Sequence, residues 1–226
     1  MKVCTDACLF GAWVSSQLSA AGRLRGLDIG TGTGLLSLML AQEANIDMVA
    51  IEVDQAAAGQ AKENVAASRF AGRIEVYQQD VIDFSPPEKF DVVICNPPFF
   101  KQSLVPADNG KHLAKHEARL DLPRLLRLVR PWLNDGGLFY LLLPFYRSAE
   151  LETLAKNTGW YIRRKLTVKQ TAAHDFFRVA YALGVVPAGM EEEALVIRQG
   201  DGLYTAPFLQ YLEPYYLPQH YLRNMK

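Results

Sequence analysis

The sequence predicts an α/β fold in which a largely parallel sheet carries helices on both faces. Three observations carry that prediction. From Leu24 onward, short apolar runs alternate with amphipathic helical stretches. The first of those strands runs into a glycine loop, Gly30-Thr31-Gly32-Thr33-Gly34, that opens a helix. The fourth strand stops sharply at Asn96-Pro97-Pro98, because a residue that precedes proline is held in extended conformation. Half of the residues are hydrophobic and 21% are charged, the balance of a chain with a sizeable core. We therefore expect one domain over residues 1–226, with 1–23 an N-terminal helical segment, 24–184 the core sheet and 185–226 a C-terminal elaboration.

In order along the chain, Leu24–Ile29 reads as a strand and Gly34–Gln42 as a helix. Met48–Val53 is the next strand, and Gln55–Ser68 is an Ala-rich helix interrupted only by Gly59. Arg73–Tyr77 and Phe90–Cys95 are further strands. Phe99–Arg119 is a long connection, and connections of that length are often functional. Leu122–Arg130 is a helix, with Pro123 tolerated in its first turn and Pro131 just past its end. A turn at Asp135-Gly136-Gly137 leads into the apolar strand Leu138–Leu143, and Ser148–Thr158 is a helix. Tyr161–Val168 and Phe176–Leu183 form a closing antiparallel pair, and Leu195–Arg198 is an edge strand. The aromatic tail Tyr204–Tyr221 is apolar enough to pack on the domain.

Charge and cysteine content narrow the function classes. Twenty-four Lys and Arg balance 24 Asp and Glu, so no overall basic surplus advertises nucleic acid. Two local clusters are basic, one within residues 101–130 and one at Arg163-Arg164-Lys165 with Lys169; both read as solvated faces on their own. Three cysteines fit reduced thiols in a cytoplasmic protein, and neither they nor the four histidines have zinc-site spacing, so no metal is expected. Asp6 breaks the basic start that a secretory signal needs, and no run approaches the roughly 20 apolar residues of a membrane span. A cytoplasmic monomer without membrane contact is the expectation.

The chemistry lies in two constellations. Glycines belong where backbone must approach a ligand or turn at positive φ. A dinucleotide fingerprint would read G-x-G-x-x-G, but here the third glycine arrives one residue early, at Gly34, and Leu35 stands where that pattern needs Gly. Asp28 precedes the loop and would repel a phosphate; it suits a cation, such as the amino group of a methionine moiety. Glu52, followed by Val53, ends the next strand and can accept from both hydroxyls of a ribose. Asp80 can accept from an adenine amino group, with the Val81 N–H facing the ring.

The second constellation is Asn96-Pro97-Pro98-Phe99. In an open α/β sheet the first and fourth strands flank one crevice at the switch point, so Asn96 comes to lie beside the glycine loop. An adenine amino nitrogen is a poor nucleophile, since its lone pair is delocalised into the ring. The Asn96 side-chain oxygen and the Pro97 carbonyl can accept both of its protons, free the lone pair and direct it at a sulfonium methyl. The prolines fix that carbonyl through their locked φ, and Phe99 can stack on the flat substrate. Positioning and electrostatics then suffice.

On these residues the chain resembles the class I S-adenosylmethionine (SAM)-dependent methyltransferases. Asp28, Gly30, Thr31, Gly32 and Gly34 stand in the place of that family's glycine loop. Glu52 stands for its ribose acid, Asp80-Val81 for its adenine site and Asn96–Phe99 for its amino-methyltransferase signature. The resemblance implies a Rossmann-like sheet of seven strands, mostly parallel with the last antiparallel, and SAM as the cofactor. A narrower likeness lies in Met1–Asp6 with Leu9–Trp13, in Asn96–Phe100, in Ala114–Leu122 and in Tyr204–Leu217. These segments are similar to the bacterial tRNA adenine N6-methyltransferases that modify adenine 37 of a valine tRNA. Thr5 and Asp6 would then help wall the cofactor pocket. Cys4 departs from that family, which carries Gly there, and the family has a basic-aromatic segment before the Met-Lys-Val.

A tRNA base must leave its stack to reach Asn96, and Lys111, Lys115, His116 and Arg119 are the candidates to hold the surrounding phosphates. The alternatives are a protein-glutamine N5-methyltransferase acting on a release factor, whose amide NH2 poses the same problem, and a SAM-binding module without catalysis. Enzymes of the first kind carry a longer N-terminal helical domain, and a module of the second kind has no need of Asn96–Phe99. DNA adenine methylation would need a target-recognition domain, and Asp28 and Leu35 disfavour a nicotinamide enzyme.

Overall fold

The computed structural model describes residues 4–18, 22–97 and 120–216. Eight strands form one sheet: β1 (Leu24–Ile29), β2 (Ile46–Glu52), β3 (Ile74–Gln78), β4 (Phe90–Cys95), β5 (Leu133–Pro144), β6 (Tyr161–Thr171), β7 (Phe176–Gly184) and β8 (Glu191–Arg198). Their order across the sheet is β3-β2-β1-β4-β5-β7-β6-β8. Only β7 runs against the others, since it pairs antiparallel with both β5 and β6. The expected seven strands with an antiparallel seventh are therefore present, and the sheet has one strand more than expected.

That eighth strand is longer than the four residues read as an edge. β8 begins at Glu191 and lies parallel to β6, with Arg164 opposite Glu191 and Lys165 opposite Glu192. Arg164 is 2.9 Å from Glu191, and Lys165 is 2.9 Å from Glu192 and 3.2 Å from Glu152. Exposed ion pairs of this kind contribute about 0–1 kcal/mol each, so their role here is to select register more than to stabilise. Burial of Leu195 and Ile197 on one face supplies the stability. The acidic run thus pairs with two of the four residues of the second basic cluster, Arg164 and Lys165, which are structural.

Among the described residues, six helices cover the sheet: α1 (Thr5–Ser15), α2 (Leu35–Glu43), α3 (Gln55–Ala66), α4 (Leu122–Val129), α5 (Ser148–Thr158) and α6 (Ala206–Leu212). One core gathers Trp13, Leu40, Val65 and Phe208 with β-strand residues such as Ile94 and Tyr140. The other gathers Leu125, Leu126, Leu151 and Trp160 with Val93 and Leu141. Successive strand residues feed opposite cores, which is why β4 and β5 are apolar without alternation. In α4 the buried set Leu122, Leu125, Leu126 and Val129 follows the helical period, and the Asp121 side chain caps the helix by accepting from the Arg124 N–H at 2.8 Å. In α1 every residue from Ala7 to Ser15 is buried, because α2, α6 and the sheet close around it. Its Trp13 donates through Nε1 to Glu193 of β8 at 2.5 Å, and the tail closes over this end with Tyr204 stacked on Phe208 at 4.6 Å.

The expected turn at Asp135-Gly136-Gly137 lies inside β5 as a bulge: Phe90 pairs with Leu133, yet Val92 pairs with Leu138. Asp91 ties the bulge down, accepting from the Arg25 N–H at 2.9 Å and from Asn134 Nδ2 at 2.7 Å. A Cβ on Gly137 would sit 2.8 Å from the Phe90 carbonyl oxygen and 3.1 Å from that of Asn134, whereas one on Gly136 meets nothing within 4 Å. Gly137→Ala should therefore destabilise by roughly 1–3 kcal/mol, and Gly136→Ala should stay within about 0.5 kcal/mol. Urea unfolding of the two variants checks this; equal midpoints would show that the bulge yields freely.

Candidate active site at the carboxyl edge of the sheet

The chain builds β1, β2 and β3 towards one edge and then crosses back to place β4 on the other side of β1. The crevice of such a sheet opens where that direction reverses, between the carboxyl ends of β1 and β4. Ile29 pairs with Cys95 and with Ile51, and Glu52 pairs with Gln78. Gly30, Glu52, Asn96 and the residues after Gln78 therefore leave the sheet along one edge, on four adjacent strands.

Backbone contacts fix the glycine loop. The Gly30 and Thr31 N–H groups donate to the Ile51 carbonyl at 2.9 and 3.0 Å, and the Gly34 N–H donates to the Thr31 carbonyl at 3.0 Å. Asn64 of α3 donates through Nδ2 to the Thr33 carbonyl at 2.9 Å. Gly30, Gly32 and Gly34 all have positive φ, at 70°, 60° and 83°, which L side chains rarely adopt. A Cβ on Gly30 would point into open space, so the loop leaves a cradle along its outer side.

Asp28 is fully buried beneath this loop. Its Oδ2 accepts from the Thr31 hydroxyl at 2.6 Å and from the Ser37 hydroxyl at 2.8 Å, while its Oδ1 has no partner in the structure. Burial pushes its carboxyl up to about 6; the two hydroxyls oppose that shift, and the charge of Glu52 adds to it. A buried acceptor without a donor is costly and calls for one. The ammonium of SAM supplies such a donor, so the residues present fit the cofactor. Ser37 is a member that the sequence reading missed; a serine in the first turn of a helix carries no signal of what it faces.

Glu52 closes the loop from the side. Its Oε2 accepts from the Gly32 N–H at 2.8 Å and its Oε1 from the Asp54 N–H at 3.0 Å. Each oxygen keeps a further lone pair, which leaves capacity for ribose hydroxyls. Val53, beside it, is 38% exposed and offers an apolar surface at the rim. Asp80 caps the 3-10 turn Val81–Asp83 by accepting from the Ile82 N–H at 2.9 Å. Val81 faces inward and joins the second core, so what it can present to the edge is backbone.

Asn96 and Pro97 follow β4 directly and are half-buried. Beneath them, burial pushes the Cys95 thiol well above its usual range, with Asp28 and Glu52 adding to the effect. Cys95 is thus a neutral apolar floor and not a nucleophile. Asp6 pairs with Arg178 of β7 at 2.7 Å, which pins the first turn of α1 to the same edge. Thr5 is half-buried in that turn. Pro98, Phe99, Lys111, Lys115, His116 and Arg119 lie outside the described residues. Among the described residues no group of His, Cys, Asp and Glu could hold a metal ion, and no helix is long and apolar enough to cross a membrane.

Comparison with known proteins places this geometry. The methyltransferase small domain family matches residues 13–121. The tRNA1(Val) (adenine(37)-N6)-methyltransferase of Bacteroides thetaiotaomicron is 39% identical over 96% of this chain and 91% of its own length. The proteins of the same name from Dyadobacter fermentans and Tolumonas auensis are 38% and 36% identical, again over 96% of this chain and over 91% and 90% of their own lengths. Among solved structures, a predicted O-methyltransferase from Agrobacterium tumefaciens superposes with a TM-score of 0.66 at 21% identity, covering 91% of this chain and 94% of that one. A SAM-dependent methyltransferase from Thiobacillus denitrificans, in complex with S-adenosyl-L-homocysteine, gives 0.52 at 18% identity over 69% and 65%.

Proposed function

Because the chain belongs to the family of the tRNA1(Val) (adenine(37)-N6)-methyltransferases, we propose that this edge transfers a methyl group from SAM to the N6 amino group of an adenine in tRNA, adenine 37 of a valine tRNA. The observation that carries the reading is the Ile29–Cys95 register, which sets Asn96-Pro97 next to the loop above the unpartnered Oδ1 of Asp28.

When bound, SAM supplies an electrophilic methyl carbon on a positively charged sulfur. The protein's own groups do the rest. Asp28 would accept from the ammonium and Glu52 from the ribose hydroxyls; Asp80 would accept from the adenine amino group while the Val81 N–H donates to the ring. Thr31 holds Asp28 in place and Val53 borders the pocket. Asn96 Oδ1 and the Pro97 carbonyl would accept hydrogen bonds from the two N6 protons, which turns the nitrogen lone pair out of the ring and towards the methyl carbon. Neither acceptor is a base, so the surplus proton that the nitrogen carries once methylated would pass to solvent. In this reading Pro98 fixes the Pro97 carbonyl and Phe99 stacks on the base. Lys111, Lys115, His116 and Arg119 take phosphates, Thr5 and Asp6 shape the cofactor side, and the protein works as a cytoplasmic monomer.

Methyl-labelled SAM offered with tRNA, total protein and DNA tests the reading. Label is expected in tRNA and, after digestion, in N6-methyladenosine. Label in protein alone would move the function to glutamine methylation, and none at all would leave a SAM-binding module.

A further inference from the structure

Beyond the Asn96 site, the same edge of the sheet carries a second constellation. The strand ends of β5, β6 and β7 gather an aromatic pair, Phe145 and Phe176, with ring centroids 5.1 Å apart. Lys169 lies opposite Phe176 in the β6–β7 ladder, with its Nζ 4.8 Å from the ring centre. Tyr146, next to Phe145, is 64% exposed. Phe145 packs its inner side against the second core, while Phe145 and Phe176 both stay half-buried and Tyr146 faces solvent.

Their place relative to the site follows from register. Cys95 pairs with Leu141, and Pro144 pairs with Arg178. Phe145 therefore stands one strand over from Asn96 and about 10 Å further along, at about 3.3 Å per residue. Half-exposed rings with an ammonium held over one of them match a nucleotide, whose base stacks on the exposed aromatic surface while its phosphate meets the cation. The nearby acids do not oppose this: Glu150 is held by Arg147 and Asp6 by Arg178, leaving Asp175 exposed at the tip of the hairpin.

The geometry points to a second subsite, formed by Phe145, Tyr146, Lys169 and Phe176, that binds a nucleotide flanking the target base in a single-stranded RNA loop. It rests on the tRNA reading above and adds a specificity element to it. Extruding one base from a loop unstacks its neighbours, and an aromatic shelf beside the site restores that stacking. The shelf acts on RNA binding and not on the chemical step.

Tyr146→Ala and Lys169→Glu test this, since both side chains can change without opening a core. Each is expected to raise KM for tRNA about tenfold or more while kcat, the SAM dissociation constant and the unfolding midpoint stay within twofold or one degree. Lys169→Glu should also lower the salt slope of tRNA binding by about one. Lys156→Glu, on α5, serves as the control and should leave tRNA binding unchanged. Unaltered KM in both variants, with the parent protein methylating tRNA normally, overturns the subsite alone. No transfer to tRNA by the parent protein overturns the reading beneath it as well. A loss of kcat with KM intact would place these residues in the chemistry and also contradict the proposal.

Discussion

Asn96→Ala should lower single-turnover methyl transfer by about 10²–10³-fold while the SAM dissociation constant changes less than threefold. The expectation follows from the role proposed for the residue: it accepts a hydrogen bond from one of the two N6 protons and so draws the lone pair out of the ring. Its removal takes away a directed acceptor whose value grows as positive charge develops on nitrogen. The Pro97 carbonyl belongs to the backbone and survives the substitution, so the loss is large but incomplete. Asn96 sits at the end of β4, and Asp28 and the glycine loop arise from β1, which is why cofactor binding is spared. Asn96→Asp keeps an acceptor oxygen and should retain more activity than Ala. A rate within a few-fold of the parent for Asn96→Ala would remove the proposed mechanism.

Asp28→Asn should have opposite effects on binding and on stability. The Asn oxygen can still accept from Thr31 and Ser37, but an NH2 then takes the place of Oδ1 and confronts the ammonium with a donor. SAM affinity should fall at least about 100-fold, in line with an unpaired buried polar pair. The unliganded protein should become more stable at neutral pH. Because the folded protein raises the Asp28 carboxyl from 3.8 to about 6, it holds that proton more tightly than the unfolded chain does. The group therefore favours folding most below pH 4, and its contribution declines as pH rises from about 4 to about 6. Above that the buried charge costs on the order of 3 kcal/mol. Thermal unfolding should show the variant several degrees higher at pH 7.5 and no higher at pH 4. In the parent protein, SAM affinity should weaken as pH drops below 6 and Asp28 takes up its proton. A variant less stable than the parent at pH 7.5 would show that Asp28 is satisfied without the cofactor.

The candidate site was legible in the sequence where its proposed members sit at strand ends. Asp28, Glu52, Asp80 and Asn96 each follow a short apolar run, and the parallel order of those runs sets them along one edge. Other features depend on contacts between distant segments. Glu191-Glu192-Glu193 lies outside the expected edge strand Leu195–Arg198, and only Arg164 and Lys165 opposite it bring it into β8. The Gly136-Gly137 pair carries the composition of a turn, and only the Phe90 carbonyl reveals a bulge. Asp6 has its partner at Arg178, and the Phe145–Phe176 shelf is built from the ends of two strands; neither leaves a periodic trace. Local periodicity reports which face of an element is buried, whereas these pairings report which elements meet.

The most direct measurement incubates unmodified valine tRNA with SAM and the purified protein, then locates the new methyl group by nuclease digestion and mass spectrometry. The account predicts one methyl group, on N6 of adenine 37, absent with Asn96→Ala. Methylation at a ring nitrogen or a ribose hydroxyl, or transfer that persists unchanged with Asn96→Ala, would contradict it.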